Sequence, residues 1–249
     1  MFSSIQIVGR RQRQEDSFSV DTVALPRGRE ADVAQLFIVA DGMGGHAGGD
    51  IASQSAVDAF SGSFKARTVF NESWLVDALM DASKRIAREI SLDTTLAGMG
   101  TTFLGALRRG NKLDWVSVGD SLLLLFRDGR LRRLNEDHSM LPRLIEAAQA
   151  NGRDVEEAYR DRRRHQLRSA LDGRKTELID RANCELLPGD LVMLASDGIQ
   201  TLSMNDLAAL LEQNRNSTTD QLVELLIAAI ERCSAPQQDN VTLIVYRHS

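Results

Sequence analysis

LFIVADGMGGHAGGDIASQSAVDAF, residues 36–60, decides the fold. Five apolar residues, Leu36-Phe37-Ile38-Val39-Ala40, read as a strand buried on both faces, and the strand stops at Asp41-Gly42. A glycine-dense loop follows, then Ile51, Ser55, Ala56, Ala59 and Phe60 recur at the spacing of one helix face. The next patterned stretch is a second helix, with Leu75, Leu79, Ala82, Ile86 and Ile90 on one side, before any further strand. Helices in pairs between groups of strands argue for antiparallel sheets with helices layered outside, and against a doubly wound α/β fold. A second pair is expected near the C-terminus. There Leu207, Leu210 and Leu211 follow Ser203 with Asp206 three residues on, and Leu222, Leu225, Leu226 and Ala229 follow Thr218 with Gln221 three on. Both openings read as capping boxes.

Other strands are expected at 5–8, 17–23, 101–107, 114–118, 122–127, 177–180, 191–195 and 241–246, with Arg127-Asp128-Gly129-Arg130 as a hairpin turn. Residues 135–173 are polar, arginine-rich and weakly patterned. They are expected to hold a helix at 139–150 and another starting near Asp154, and to form a mobile insertion, or flap, beside the site. The four prolines are scattered at positions 26, 142, 188 and 236, and no linker or repeat divides the chain, so 1–249 is read as a single domain.

Composition narrows the function. At 43% hydrophobic and 26% charged, the 249 residues suit a globular protein with a sizeable core. Thirty Lys and Arg against 35 Asp and Glu give a net charge of −5, which disfavours bulk electrostatic binding of nucleic acid. No apolar run nears the ~20 residues of a membrane span. The N-terminal stretch lacks the features of a signal peptide, and a cytoplasmic location is expected. Cys184 and Cys233 are too few for a disulfide framework and are read as small core residues. Trp74 and Trp115 are read as packing residues.

Chemistry is written at the strand ends. Asp41, Asp120 and Asp197 each follow an apolar run; Asp239 and Asn240 precede one, as do Glu15 and Asp16. Any one of these alone reads as a turn residue. Five such places in one chain weaken that reading, because unpaired carboxylates at a dry sheet edge repel one another and are costly to desolvate. If the ends converge, divalent cations compensate, and an all-oxygen shell suits Mg²⁺ or Mn²⁺ over zinc. Gly42, Gly44, Gly45, Gly48 and Gly49 let the backbone approach a ligand closely, but neither a P-loop nor Gly-x-Gly-x-x-Gly is present. The Gly42 carbonyl could reach a metal that Asp41 already holds.

In order along the chain stand Arg11-Gln12-Arg13-Gln14-Glu15-Asp16, Asp41-Gly42-Met43-Gly44-Gly45-His46, Gly100-Thr101-Thr102, Val118-Gly119-Asp120-Ser121, Asp137-His138-Ser139, Ser196-Asp197-Gly198 and Gln238-Asp239-Asn240-Val241-Thr242. This ordered set resembles the PPM family, the metal-dependent type 2C serine/threonine protein phosphatases, over almost the whole chain. The resemblance implies an α+β fold, a four-layer α-β-β-α sandwich of two antiparallel sheets flanked by helix pairs, with two Mn²⁺ or Mg²⁺ ions at one end. It implies that Asp41 bridges both metals, that Gly42 offers its carbonyl to one, and that Asp197 and Asp239 complete the shell of the other. Glu15 and Asp16 would act through metal-bound waters, Arg11 would bind the phosphate, and Asp120 would belong to a third, weaker metal site. A hydroxide shared by two cations about 4 Å apart would attack phosphorus in line with the leaving Ser or Thr oxygen, with no phosphoenzyme. The implied partners are phosphorylated proteins and a serine/threonine kinase, the enzyme acting as a monomer.

Departures from the family pattern are specific. Gln14 stands for a common Asn. Met43 occupies the place of a candidate general-acid histidine of many eukaryotic members and resembles the bacterial form. Leu122 replaces a frequent Arg. Thr201 stands where an Asp often helps bind the third metal, which weakens that site. A catalytically silent relative serving as a phosphoprotein-binding regulatory module would be expected to lose a bridging Asp, yet Asp41, Asp197 and Asp239 are all present. A phosphatase of the aspartyl-phosphate type would want a second Asp at position 43. His46 is read as a turn residue and His138 as ordering the segment after it. Arg160, Arg162, Arg163, Arg164, His165 and Arg168 are read as a solvated helix face.

Overall fold

Alternation along the central strands sorts the core into three apolar layers. In the computed structural model, which describes residues 1–25, 33–44, 48–71 and 73–249, the elements run β1 (Phe2–Ile7), β2 (Asp16–Ala24), β3 (Val33–Met43), α1 (Gly49–Lys65), α2 (Trp74–Leu92), β4 (Gly100–Thr101), β5 (Phe103–Arg109), β6 (Lys112–Val118), β7 (Leu122–Arg127), β8 (Arg130–Arg133), α3 (Leu141–Ala150), α4 (Glu156–Arg160), β9 (Asp180–Glu185), β10 (Leu191–Ala195), α5 (Met204–Gln213), α6 (Thr219–Cys233) and β11 (Val241–Arg247). One sheet has the order β1-β11-β10-β7-β8; the other has β2-β3-β5-β6-β9, with β4 also paired to β3. All of these neighbours are antiparallel.

Successive side chains on a strand point to opposite faces. Leu36, Ile38 and Ala40 of β3 therefore pack with α1 and α2. Phe37 and Val39 turn inward against Leu123, Leu125, Val192, Leu194 and Ile244 of the other sheet. The alternate residues of that sheet, among them Leu122, Leu124, Met193, Leu243 and Val245, pack with α5 and α6. Burial on both faces explains the near-continuous apolar runs, and the four-layer α-β-β-α sandwich is what the paired helices imply.

Several local expectations need correction. The buried face of α1 is Ala52, Ser53, Ala56, Val57, Phe60, Ser61 and Phe64, not the face that includes Ile51, which is 37% exposed. Small residues line the contact because α1 lies close on the sheet, so hydrophobic weight misplaces the stripe. The strand expected at 177–180 is instead β9, Asp180–Glu185, an edge strand whose mostly exposed polar residues carry no apolar signal. The run 101–107 breaks at Thr102, whose N–H donates to the Asp41 carbonyl, out of the ladder. The first helix of the 135–173 segment starts at Leu141, with Pro142 in its first turn. Cys184 is half-buried and packs against the inner core, whereas Cys233 is exposed at the end of α6 and is not a core residue.

Turn and cap chemistry behaves as read. Asp128 and Gly129 have φ of 50° and 74°, the doubly positive turn that an Asp-Gly hairpin favours. Thr218 and Gln221 form a complete capping box. Ser203 caps the Asp206 N–H, but the Asp206 carboxylate takes the Ser203 hydroxyl proton instead of reaching back to the backbone.

Candidate active site

Both sheets end at one cleft of about 1180 Å³, lined by Arg11, Glu15, Asp41, Gly42, Asp120, Asp197 and Asp239 among others. The fold brings them together from five separate places. Asp41 lies near the end of β3, directly opposite Asp16 at the start of β2. Asp120 follows β6, Asp197 follows β10, and Asp239 stands two residues before β11. Asp16 does not line the cleft; it is 5% exposed and lies behind.

The electrostatics are those of crowded, desolvated carboxylates. Burial pushes the Asp41 carboxyl well above the ordinary range, helped by the charges of Asp16, Asp197, Asp120 and Asp239. Asp16 rises to about 6, again through burial, against lowering hydrogen bonds from Ser196 and Thr242. Asp197 rises to about 6 through burial and the Asp239 charge. Asp120 rises to about 7 through burial, Asp197 and Asp137, with Arg133 opposing. One cation meets this group directly: Arg11 Nη2 lies 2.5 Å from Asp239 Oδ2.

The donor set fits a hard divalent cation. Asp197 Oδ1 is buried and accepts no hydrogen bond from the described residues; the Asp41 carboxyl beside it can donate only when protonated. Gly42 is seated so tightly that a Cβ there would collide with the carbonyl oxygens of Gly49 and Glu15, which keeps the backbone bare beside Asp41. Among the described residues no three His, Cys, Asp or Glu side chains are already gathered into a closed metal shell. Asp239 is turned onto Arg11.

Supporting residues hold the carboxylates in place. Thr102 Oγ1 accepts from the Asp41 N–H at 2.9 Å and pairs with Ser121 Oγ at 2.8 Å. Asn240 Oδ1 accepts from Glu15 N–H, while its amide donates to the Val8 and Arg13 carbonyls. Arg133 pairs with Asp137 and donates to the Asp120 and Ser121 carbonyls. His138 is buried, its Nδ1 accepts from Gly119 N–H, and its carbonyl accepts from Arg168 N–H, so it ties the turn just before Asp120 to the returning segment. Thr201 donates to Gln238 Oε1 at 2.7 Å.

Ser196 and Thr242 were not readable as functional from their own positions. Their signal is a hydroxyl, wholly buried, inside or beside an otherwise apolar run. The arginine cluster is also corrected: only Arg160 lies in a helix, residues 162–165 form a turn, and Arg164 and His165 line the cleft. His46 lies outside the described residues.

Solved structures share this architecture. The Mycobacterium tuberculosis serine/threonine phosphatase PstP superposes with a TM-score of 0.80 at 28% identity, over 100% of this chain and 99% of that one. The catalytic domain of PstP in complex with two manganese ions gives 0.75 at 28% identity, over 98% and 96% of the two chains. The serine/threonine phosphatase stp of Listeria monocytogenes is 29% identical over 220 residues, 86% of this chain and 84% of its own. Mycobacterium tuberculosis PstP is 32% identical over 215 residues, 85% of this chain but 40% of its own. Fold and relatives thus define a phosphatase. Residues 8–241 match protein phosphatase 2C, and the chain belongs to that family. No helix among the described residues is long and apolar enough to cross a membrane.

Proposed function

We propose that this chain hydrolyses phosphoserine and phosphothreonine in proteins with two Mn²⁺ or Mg²⁺ ions held in the carboxylate cleft. The observation that carries this reading is the convergence of Asp41, Asp120, Asp197 and Asp239 on one cleft, with Asp197 Oδ1 buried and unpartnered among the described residues. Asp41 would be shared by both ions, Gly42 would add its carbonyl, and Asp197 and Asp239 would complete the set, with Glu15 and Asp16 acting through water. When bound, the two ions supply a water acidified enough to attack phosphorus near neutral pH. Asp120 would serve a third ion only weakly, since Thr201 offers a neutral hydroxyl already committed to Gln238 and hard cations depend on ligand charge. Residues 135–173 would act as a mobile flap in a single domain, with Arg164 and His165 at its rim. The substrates would be targets of a serine/threonine kinase, met by a monomer in the cytoplasm. Hydrolysis of a phosphothreonine peptide, with Mn²⁺ and with EDTA, tests the reading. Release of phosphate only with metal is expected, and none in either condition would overturn it.

Arg11 carries the phosphate in this scheme. Its planar fork can grip two phosphoryl oxygens and offset developing charge. The same fork rests on Asp239, so it is already held at the cleft. Arg11→Ala is expected to raise KM for p-nitrophenyl phosphate roughly tenfold or more, the worth of a charge-assisted hydrogen bond. Calorimetry should still find two Mn²⁺ per chain; loss of metal binding would show that the role is wrongly assigned.

A further inference from the structure

Asp16 is gripped from the opposite sheet. Its Oδ2 accepts two hydroxyl hydrogen bonds, from Ser196 Oγ and Thr242 Oγ1, each 2.7 Å long. What else these hydroxyls do settles the direction of their protons. Ser196 Oγ already accepts from Thr242 N–H at 2.9 Å, and Thr242 Oγ1 accepts from Gln6 Nε2 at 2.9 Å. The Gln6 amide is oriented in turn, because it also donates to the Asp16 carbonyl at 3.3 Å. Each hydroxyl therefore has its own proton left for Asp16.

The placement is as telling as the bonds. Gln6 lies on β1, Thr242 on β11 and Ser196 just past β10, all in one sheet. Asp16 opens β2 in the other sheet, directly across from Asp41. Ser196 and Thr242 are both 0% exposed, and Thr242 interrupts the apolar run of Val241, Leu243 and Ile244. A buried hydroxyl is costly unless bonded, and here two are given to a single carboxylate oxygen.

We propose that Ser196 and Thr242 are positioning residues for the cation site: by saturating Asp16 Oδ2 they hold Asp16 behind Asp41 as a fixed acceptor. Oδ1, which takes no hydrogen bond from the described residues, is left as its uncommitted oxygen. Partners that orient a metal-binding group commonly change metal affinity 10–100-fold when removed. The inference rests on the metal-dependent reading above.

Calorimetric titration of the whole chain with Mn²⁺ alone tests it, alongside melting of the metal-free protein in EDTA. Thr242→Val keeps the shape and removes the donor; Ser196→Ala removes the other; Thr242→Ser keeps a hydroxyl. Mn²⁺ affinity is expected to fall roughly tenfold or more in Thr242→Val and in Ser196→Ala, and to stay close to wild type in Thr242→Ser. A purely structural hydroxyl would move the melting temperature and leave Mn²⁺ affinity alone. If Thr242→Val does not fold, Ser196→Ala decides. Wild-type affinity in the donor-free variants, or an equal loss in Thr242→Ser, would overturn the inference. In either case a wild-type chain that still binds Mn²⁺ and needs it for phosphopeptide hydrolysis leaves the broader reading standing, whereas a wild type that does neither removes both.

Discussion

Asp41→Asn is expected to lower kcat for p-nitrophenyl phosphate by at least about 10³-fold while the protein stays folded, and Asp239→Asn to do nearly the same. A metal centre contributes several kcal/mol of transition-state stabilisation, and each ~1.4 kcal/mol is a factor of ten. Asp41 is the residue with the most carboxylate neighbours acting on it: Asp16, Asp197, Asp120 and Asp239 all raise its proton affinity. A carboxylate in that position is the natural shared ligand, and the amide keeps its size while losing half of its acceptor capacity and all of its charge. EDTA should abolish wild-type activity and Mn²⁺ should restore it. Steady-state kinetics with circular dichroism as the folding control decides the matter; full activity in EDTA, or in a folded Asp41→Asn, would exclude a dinuclear mechanism.

How much of this was legible in the sequence depends on the physics of each element. The central strands were, because β3, β7, β10 and β11 are buried on both faces and so read as apolar runs bounded on at least one side by Asp, Asn or Gly. The cleft carboxylates were legible for the same reason: Asp41 and Asp197 stand out against five apolar residues before them. Edge strand β9 was not. It presents polar residues to solvent, so its register, Trp115 with Ala182, follows from a pairing partner far away in the chain, whereas the β7–β8 hairpin is set locally by its Asp-Gly turn. The grip on Asp16 was hidden too. Ser196 and Thr242 lie 180 and 226 residues from it, and a hydroxyl beside a motif looks like any turn residue until the sheets are stacked. Arg160, Arg162 and Arg163 are solvated as read, but the helix over residues 160–168 was misread because charge density says nothing about whether a turn folds back onto a cleft.

The same carboxylates make the metal-free protein pay in stability for its site, and this gives a pH dependence of definite sign. Asp16 and Asp197 rise to about 6 and Asp120 to about 7, against about 3.9 in an unfolded chain. Between about pH 4 and pH 7 the folded state therefore binds more protons than the unfolded one, so these groups make stability fall as pH rises. Three histidines pull the other way: burial lowers His138, His165 and His248, which favours folding as pH rises past their ordinary value. The difference between Asp41→Asn and wild type cancels the histidines, since the substitution leaves them in place. In EDTA, Asp41→Asn should melt near wild type at pH 4.5 and about 2 °C or more above it at pH 7.5, since one buried like charge fewer is worth ~1–3 kcal/mol and each kcal/mol moves the melting point of a domain this size by about 2–4 °C. Saturating Mn²⁺ should stabilise wild type and reverse the order if Asp41 is the shared ligand proposed above, because only the wild type retains it. The variant that loses the chemistry would thus be the more stable one whenever metal is absent, the trade expected of a site built from mutually repelling groups. Differential scanning calorimetry at the two pH values measures it, and a difference independent of both pH and Mn²⁺ would mean that the cleft carboxylates do not repel one another as their burial and spacing require.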